Sequence, residues 1–531
     1  MLGFNYLVSF IRRYLLLKKS IKIKNEIKIL RSAKKDSTQL IPYKLLNIIT
    51  KNNINFEINI NFFNKYLLDF DVNKFFKQLI LYKILANRTF YKKIILCYQK
   101  KEKIVYPIPK ELNDIFKNEG LNVSILSRFY LILFGFREFI KSNLLIVKIL
   151  FEINNLREEE HIQFCEQIDE SNFNSISKEK MNLLTWYSDN FKKNRINNIY
   201  FVGNQKKRKF GNFTINFNNQ VIEQLSFLKK IQFFIFSIFF SFYALLKFVI
   251  GKYYYLLILC EIILLIKSIL SQNKAKEYFF SNSNYIFKPL WTYHVELMQK
   301  KVSLFHYSSS FFGFKINNSY LPNESGIESM TWKNIYLWTE PLSSFLQKNI
   351  IKKNINFILT NPIDLNDNDE NFANVTKGKK VLSIFDIPPR RSSIREMYFY
   401  GDNYRTENTS IKFLEDINNV FGKKNNFVLL LKTKRIMDKE YSKKYKMFVQ
   451  DFISKKNVYL LKPTTSASRI IVNSDLIISI PWTSTAFIGK FYNKKSFFYD
   501  PLETLDFRDR GKQNCELIQG KKNLQKLYDI F

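Results

Sequence analysis

The chain has 531 residues, 46% of them hydrophobic, which is too long for one ordinary core and too apolar for a disordered segment. Its net charge of +37 fits a membrane surface, nucleic acid or phosphorylated substrates, or else lysine-rich codon usage spread over solvated faces. Four cysteines without a CxxC pair and only three histidines exclude a zinc knuckle, a dithiol redox pair and a multi-histidine metal site, and no zinc-finger or RNA-recognition spacing supports nucleic acid.

Residues 1–90 read as a basic helical region. Arg12 and Arg13 interrupt its apolar opening and no small-residue cleavage site follows, so it is not a secretory signal. It fits a basic amphipathic helix on a membrane or a helix packed on the protein body. Lys93–Tyr98, "KIILCY", predicts a strand. Pro107 and Pro109 lead into a helix ending near Gly120, and Leu121–Leu126 predicts a second strand, the start of an α/β layer. Phe129–Phe151 predicts a long apolar helix, followed by a more polar stretch to about Asn219.

Ile231–Leu270 predicts an apolar helical hairpin. Its charge-free block, Ile231–Leu246, is shorter than the roughly 20 residues a spanning helix needs. A re-entrant or interfacial hairpin and a buried helix pair both fit. After Gln272 the runs "EYFFSN", "VSLFHYSS", "NIYLWTE" and "INFILTN" predict strands separated by helix-length segments. Residues 91–370 thus read as a Rossmann-like domain with the hairpin 231–270 inserted. A polar linker, Asn361–Lys380, follows; its Asp367–Asp369 "DND" has no strand running into it and is not read as a metal motif.

Residues 379–531 alternate short apolar strands ("VLSIFDI", "FVLLLKTK", "VYLLKP", "LIISIP", "SFFYDP") with helical patterns, which predicts a parallel, doubly wound sheet. Ligands bind beyond the carboxyl ends of such strands. Asp386 ends the first strand as a candidate base or sugar ligand, followed by Arg390 and Arg391 as phosphate ligands or solvated charges. Lys432, Lys434 and Arg435 follow the second; period-2 alternation places the two lysines on one face. Pro481 ends "LIISI", and Thr483, Ser484 and Thr485 open the next helix as plain N-caps or as a phosphate cradle on free N–H groups. Asp500 ends the neighbouring strand, and Gly489 marks close packing in the intervening helix. In the first layer, His294 and Glu296 stand as a general base and its partner, or as core residues.

The segment "SDLIISIPWTSTAFIGKFYNKKSFFYDP", with "FDIPP", "LLLKTKR", "KPLWTYHVE" and "WKNIYLWTEP", resembles the bacterial surface-polysaccharide biosynthesis proteins with a PFTS motif. The motif stands here as Pro481-Trp482-Thr483-Ser484, Trp replacing Phe, and the resemblance covers roughly 93–126 and 277–531. It implies an α/β, GT-B-like glycosyltransferase of two Rossmann-like domains. The N-terminal one would face the acceptor, and the C-terminal one would hold a nucleotide-sugar donor without a required metal or other cofactor. The Thr-Ser-Thr cluster is also similar to the hydroxyl pair of sialyltransferase-like enzymes. Their His-Pro motif is absent, because no histidine follows His306, which argues against a CMP-sugar. The expected partners are a nucleotide sugar, a lipid-linked or glycan acceptor as in O-antigen or capsule assembly, and an anionic membrane surface, with no nucleic acid. The expected place is the cytoplasmic face of the bacterial inner membrane, peripheral or hairpin-anchored. The rival expectation is a non-enzymatic membrane scaffold of a polysaccharide assembly or export complex.

Overall fold

The computed structural model describes residues 20–33, 38–68, 70–152, 160–167, 183–191, 196–203, 206–218, 220–281, 287–306, 314–316, 319–320, 327–350, 354–363, 376, 378–397, 404–422, 426–506 and 510–531. The extreme N-terminus and the Asp367–Asp369 stretch lie outside them.

Up to Leu150 the described chain is helical. The strand expected at Lys93–Tyr98 is instead part of the Arg88–Lys100 helix. Asn87 caps that helix by accepting from the Phe90 N–H at 2.9 Å, and Phe90, Ile94 and Cys97 recur on one buried face. Six apolar residues are too few to separate strand from helix by pattern, and the cap and the helical spacing decide it. Leu121–Leu126 likewise contributes only a bridge, Val123 to Ile104, before the Leu126–Leu150 helix begins. The boundary drawn at residue 90 therefore falls inside a helix, and the first sheet starts at His161.

That sheet contains β1 (His161–Gln167), β2 (Asn198–Val202), β3 (Arg208–Phe210), β4 (Phe213–Asn218), β5 (Ala275–Phe280) and β6 (Lys301–Phe305). After a two-stranded ribbon of β7 (Lys315–Ile316) and β8 (Ser319–Tyr320), β9 (Asn334–Leu337) and β10 (Asn356–Leu359) complete it. The order is β10-β9-β6-β5-β1-β2-β4-β3, parallel except for the edge strand β3. The second sheet holds β11 (Lys380–Asp386), β12 (Phe427–Thr433), β13 (Val458–Leu461), β14 (Leu476–Ser479), β15 (Lys495–Asp500) and β16 (Glu516–Gln519), all parallel, in the order β13-β12-β11-β14-β15-β16. In both sheets the chain works from its first strand to one edge, returns across that strand, and works to the other edge. This is the Rossmann order, and the two Rossmann-like layers expected from the sequence are present.

Alternation puts Leu382, Ile384, Leu429 and Leu431 in one core and Val381, Phe385, Val428 and Leu430 in another, so the second sheet is covered on both faces. One face of the first sheet (Tyr278, Phe280, Leu304, Leu337) is buried together with the N-terminal helices and the hairpin. The hairpin is inserted in the crossover from β4 to β5, as helices Phe227–Val249 and Tyr254–Leu270 joined through Gly251 at φ 82°. Nearly all of the second helix is buried, whereas the first buries only Phe233, Ser237, Ser241 and Ala244. The domains meet at the carboxyl ends of the first sheet. Phe314, after β6, belongs to a core of the second domain; Trp338, after β9, packs on cores of both; and Thr339 Oγ1 donates to Gln513 Oε1.

Candidate functional site

A doubly wound sheet opens a crevice where its strand order reverses, because the connections there leave in opposite directions. In the second sheet this point lies between β11 and β14, paired in register from Leu382↔Leu476 to Phe385↔Ser479. The stretches that leave it are Ile387-Pro388-Pro389-Arg390-Arg391 and Ile480-Pro481-Trp482-Thr483.

The first stretch is tied down on both sides. Asp386 Oδ1 accepts from the Ile387 N–H at 2.7 Å, and Oδ2 accepts from the Tyr445 hydroxyl. Burial pushes this carboxyl up to about 6, against the pull of those two donors. The Lys434 N–H donates to the Asp386 carbonyl at 2.9 Å, the Arg391 N–H to Glu440 O at 2.9 Å and the Ser442 N–H to Pro389 O at 2.9 Å. The loops after β11 and β12 are thereby held side by side, around a cavity of about 160 Å³.

Arg390, Arg395, Arg405, Lys434 and Arg435 supply the charges of that cavity, and Ile387, Pro388, Pro389 and Tyr441 complete its lining. Arg390 Nη1 also meets Glu440 Oε2 at 2.6 Å, with its guanidinium over the Tyr441 ring. Lys434 reaches solvent at the mouth, yet desolvation, and then the charges of Arg405, Arg435 and Lys432, lower its pKa to about 8. Lys432, expected to share a face with it, is buried in β12 opposite Phe385 and Leu461, and does not line the cavity.

Arg405 joins the cavity to the second stretch. Its Nη2 donates to Pro481 O at 3.2 Å and to Trp482 O at 3.3 Å, and its guanidinium lies 5.0 Å from the Phe314 ring centre. Trp482 takes a left-handed φ of 62°, a conformation a bulky residue holds only when its surroundings enforce it. Those surroundings are Phe498 at 5.2 Å, Phe314 at 5.9 Å and Gly511, where a Cβ would lie 2.8 Å from the indole. Among the described residues its indole N–H meets no acceptor. Thr483 occupies the N-cap of the Ser484–Phe491 helix, but its hydroxyl turns back to donate to Ile480 O at 2.9 Å and does not cap. Thr485 Oγ1 lies 3.2 Å from Thr483 Oγ1 and 2.8 Å from Ser479 Oγ, and Ser484 is the first helical residue. Gly489 has the close packing expected of it, since a Cβ there would collide with Ser496.

The remaining candidates lie elsewhere. Asp500 is fully buried, accepting from the Tyr404 hydroxyl at 2.8 Å, from the N–H groups of Leu502 and Leu505 and from Gln519. His294 and Glu296 are both buried in the Trp291–Leu297 helix but serve different partners. His294 Nδ1 lies 3.0 Å from Ser268 Oγ, and burial lowers its pKa to about 4; Glu296 pairs with Lys288 at 2.6 Å. The sequence reading missed Arg395, Tyr441 and Arg405. Arg405 follows no strand end, so no local pattern marks it.

A family model for "Polysaccharide biosynthesis PFTS motif protein" matches residues 243–528, more than half of the chain. The chain belongs to this family. In this PFTS protein the match spans β5 to β16, and so includes the cavity, the Pro481–Ser484 turn and the second helix of the hairpin. No curated protein sequence matches it. Among solved structures it is similar to the trehalose 6-phosphate synthase of Burkholderia multivorans, at 9% identity and a TM-score of 0.37, covering 70% of this chain and 89% of that one. The UDP-GlcNAc 2-epimerase of Methanocaldococcus jannaschii gives 10% and 0.36, covering 70% and 91%. The wall teichoic acid polymerase TagF gives 10% and 0.36, covering 75% and 88%.

Proposed function

We propose that this PFTS protein is a glycosyltransferase that takes a sugar from a nucleotide-sugar donor and passes it to a glycan or lipid-linked acceptor of a surface polysaccharide. One observation carries the reading: a cavity with five cationic side chains lies between the loops after β11 and β12, beside the switch point of a Rossmann-ordered sheet, fastened by Arg405 to the PWTS turn. Cleavage of a sugar–phosphate bond leaves negative charge on the departing phosphate. Fixed guanidinium and ammonium groups stabilise that charge as it develops, without reorganising at the moment of reaction. Arginines suit the task because the planar fork pairs two phosphate oxygens at once. Phe314, Trp338 and Thr339 bring the carboxyl ends of the first sheet to this place, which suits delivery of an acceptor from the first domain.

The test is a thermal-shift screen of the full chain against UDP-, GDP-, dTDP- and CMP-sugars. A donor present at a hundred times its Kd stabilises by about 2.7 kcal/mol. Stabilisation by one nucleotide class, followed by release of that nucleotide when acceptor is added, is the expected result. A protein that responds to none of them is the non-enzymatic scaffold instead.

A further inference from the structure

More than half of the exposed large hydrophobic side chains among the described residues fall on two helices and their flanks, Leu126–Leu150 and Phe227–Val249. Both rest on the buried helix Tyr254–Leu270, and each keeps a narrow inner stripe: Leu131, Gly135, Ser142 and Ile146 on one, Phe233, Ser237, Ser241 and Ala244 on the other. Their outer surfaces present Phe129, Leu144, Phe236, Phe239 and Phe242, each about half exposed or more. A contiguous apolar surface of this kind on a folded domain marks a docking site.

The charges say what docks there. Phe227–Val249 contains no acidic residue, and Leu126–Leu150 contains only Glu138, which is 3% exposed and held by Lys83, Lys141 and Arg137. The outward charges are all cations, among them Arg128, Lys148, Lys229 and Lys247, and Lys247 lies over the Tyr243 ring. Aromatic and aliphatic groups flanked by cations alone complement an anionic lipid surface, which offers hydrocarbon beneath negative headgroups.

The packing also fixes the mode. Phe227–Val249 is long and apolar enough to cross a bilayer. Its partner helix, however, is sealed into the protein, where Lys267 pairs with Glu152 at 2.9 Å and Glu261 accepts from the Leu290 N–H at 3.1 Å. A helix held lengthwise against a folded α/β body exposes only its outer side to lipid. We infer that the Leu126–Leu150 and Phe227–Val249 helices form one face that lies in the plane of an anionic bilayer and holds the first domain to it, without spanning it.

Sedimentation of the full chain with phosphatidylglycerol-containing and pure phosphatidylcholine vesicles tests this. The chain is expected to bind the anionic vesicles, more weakly at high salt, and to come off in alkaline carbonate. The triple variant Phe236→Ser, Phe239→Ser, Phe242→Ser should bind at least about tenfold more weakly. The pair Lys148→Glu, Lys229→Glu should lose about tenfold on anionic vesicles and nothing on neutral ones. Failure to bind either vesicle, or binding that neither variant weakens, overturns the inference. So does a solution dimer that the triple variant dissociates, which would make a second copy the occupant. Retention in carbonate overturns the in-plane placement. Both variants keep the cavity intact, so nucleotide-sugar thermal shifts in the same samples report on the glycosyltransferase reading separately.

Discussion

The two sheets share one strand order and differ in the residues beyond their strand ends. In the second, the loop after β11 carries buried prolines and part-exposed arginines, and with the loop after β12 it encloses a cationic cavity beside the switch point. In the first, the polar residues after the strands turn inward: His294 to Ser268, Glu296 to Lys288, and His306 into full burial. Topology alone therefore locates a crevice, and the fate of a few side chains beyond the strand ends decides whether it can hold an anion. The same inward turn removes Asp386 and Asp500 from the candidates that face a ligand, since their carboxylates are occupied by Tyr445 and Ile387 and by Tyr404, Leu502 and Leu505.

This contrast is open to direct attack. The largest effect is expected from Trp482→Ala, which should cost about 3–5 kcal/mol of stability and abolish donor binding, because it empties the pocket that enforces the left-handed turn. Trp482→Phe, which restores the family's motif, should bind donor normally; chemical denaturation and the thermal-shift assay check both. Arg405→Ala should weaken donor binding about 100-fold, or about 2.7 kcal/mol, with a smaller loss of stability, whereas His294→Ala should lower stability and leave donor affinity unchanged. Isothermal titration of the two variants side by side would break the contrast if His294→Ala also lost the donor.

Acid should separate the domains next. Burial lowers His294 and His306 to about 4 from 6.5, so the unfolded chain binds more protons in that window and the first domain loses stability as pH falls from 6.5 to 4. Asp386 is raised to about 6 from 3.8, so its contribution runs the other way, and the second domain gains from it as pH falls from 6 to 3.8. Hydrogen exchange followed in peptides from β5–β6 and from β11–β14 reads the two separately. The smallest effect belongs to Lys434. Its pKa of about 8 predicts that donor affinity declines by up to about tenfold between pH 7 and pH 9, a decline that Lys434→Arg should remove.

Much of the second domain was legible because its strands are buried on both faces and stand as uninterrupted apolar runs between turn residues. The edge strand β16, Glu516–Gln519, was not, since only its partly buried "ELIQ" marks it. Nor were β1, β2 and β4, which are short and set in a polar, asparagine-rich stretch where brief polar–apolar patterns do not stand out. Within the site, the proline-rich loop after β11 and the hydroxyls after Pro481 were visible as residues that break a strand pattern. The turning of Thr483 onto Ile480 is a local choice between two backbone partners that the residue type leaves open, and the burial of Lys432 and the reach of Arg405 depend on contacts between segments far apart in the chain.

Phe314 belongs to the stretch after β6, yet it sits between Trp482, the Arg405 guanidinium and Tyr404, which it meets at 4.8 Å. The Pro481–Ser484 turn is thus clamped by a ring from the stretch that follows a strand of the first sheet. Drawing the two halves apart withdraws that ring, and with it one wall of the enclosure that keeps Trp482 left-handed. If the proposed nucleotide sugar is held beside this turn, parting the two halves and loosening that grip would be a single movement.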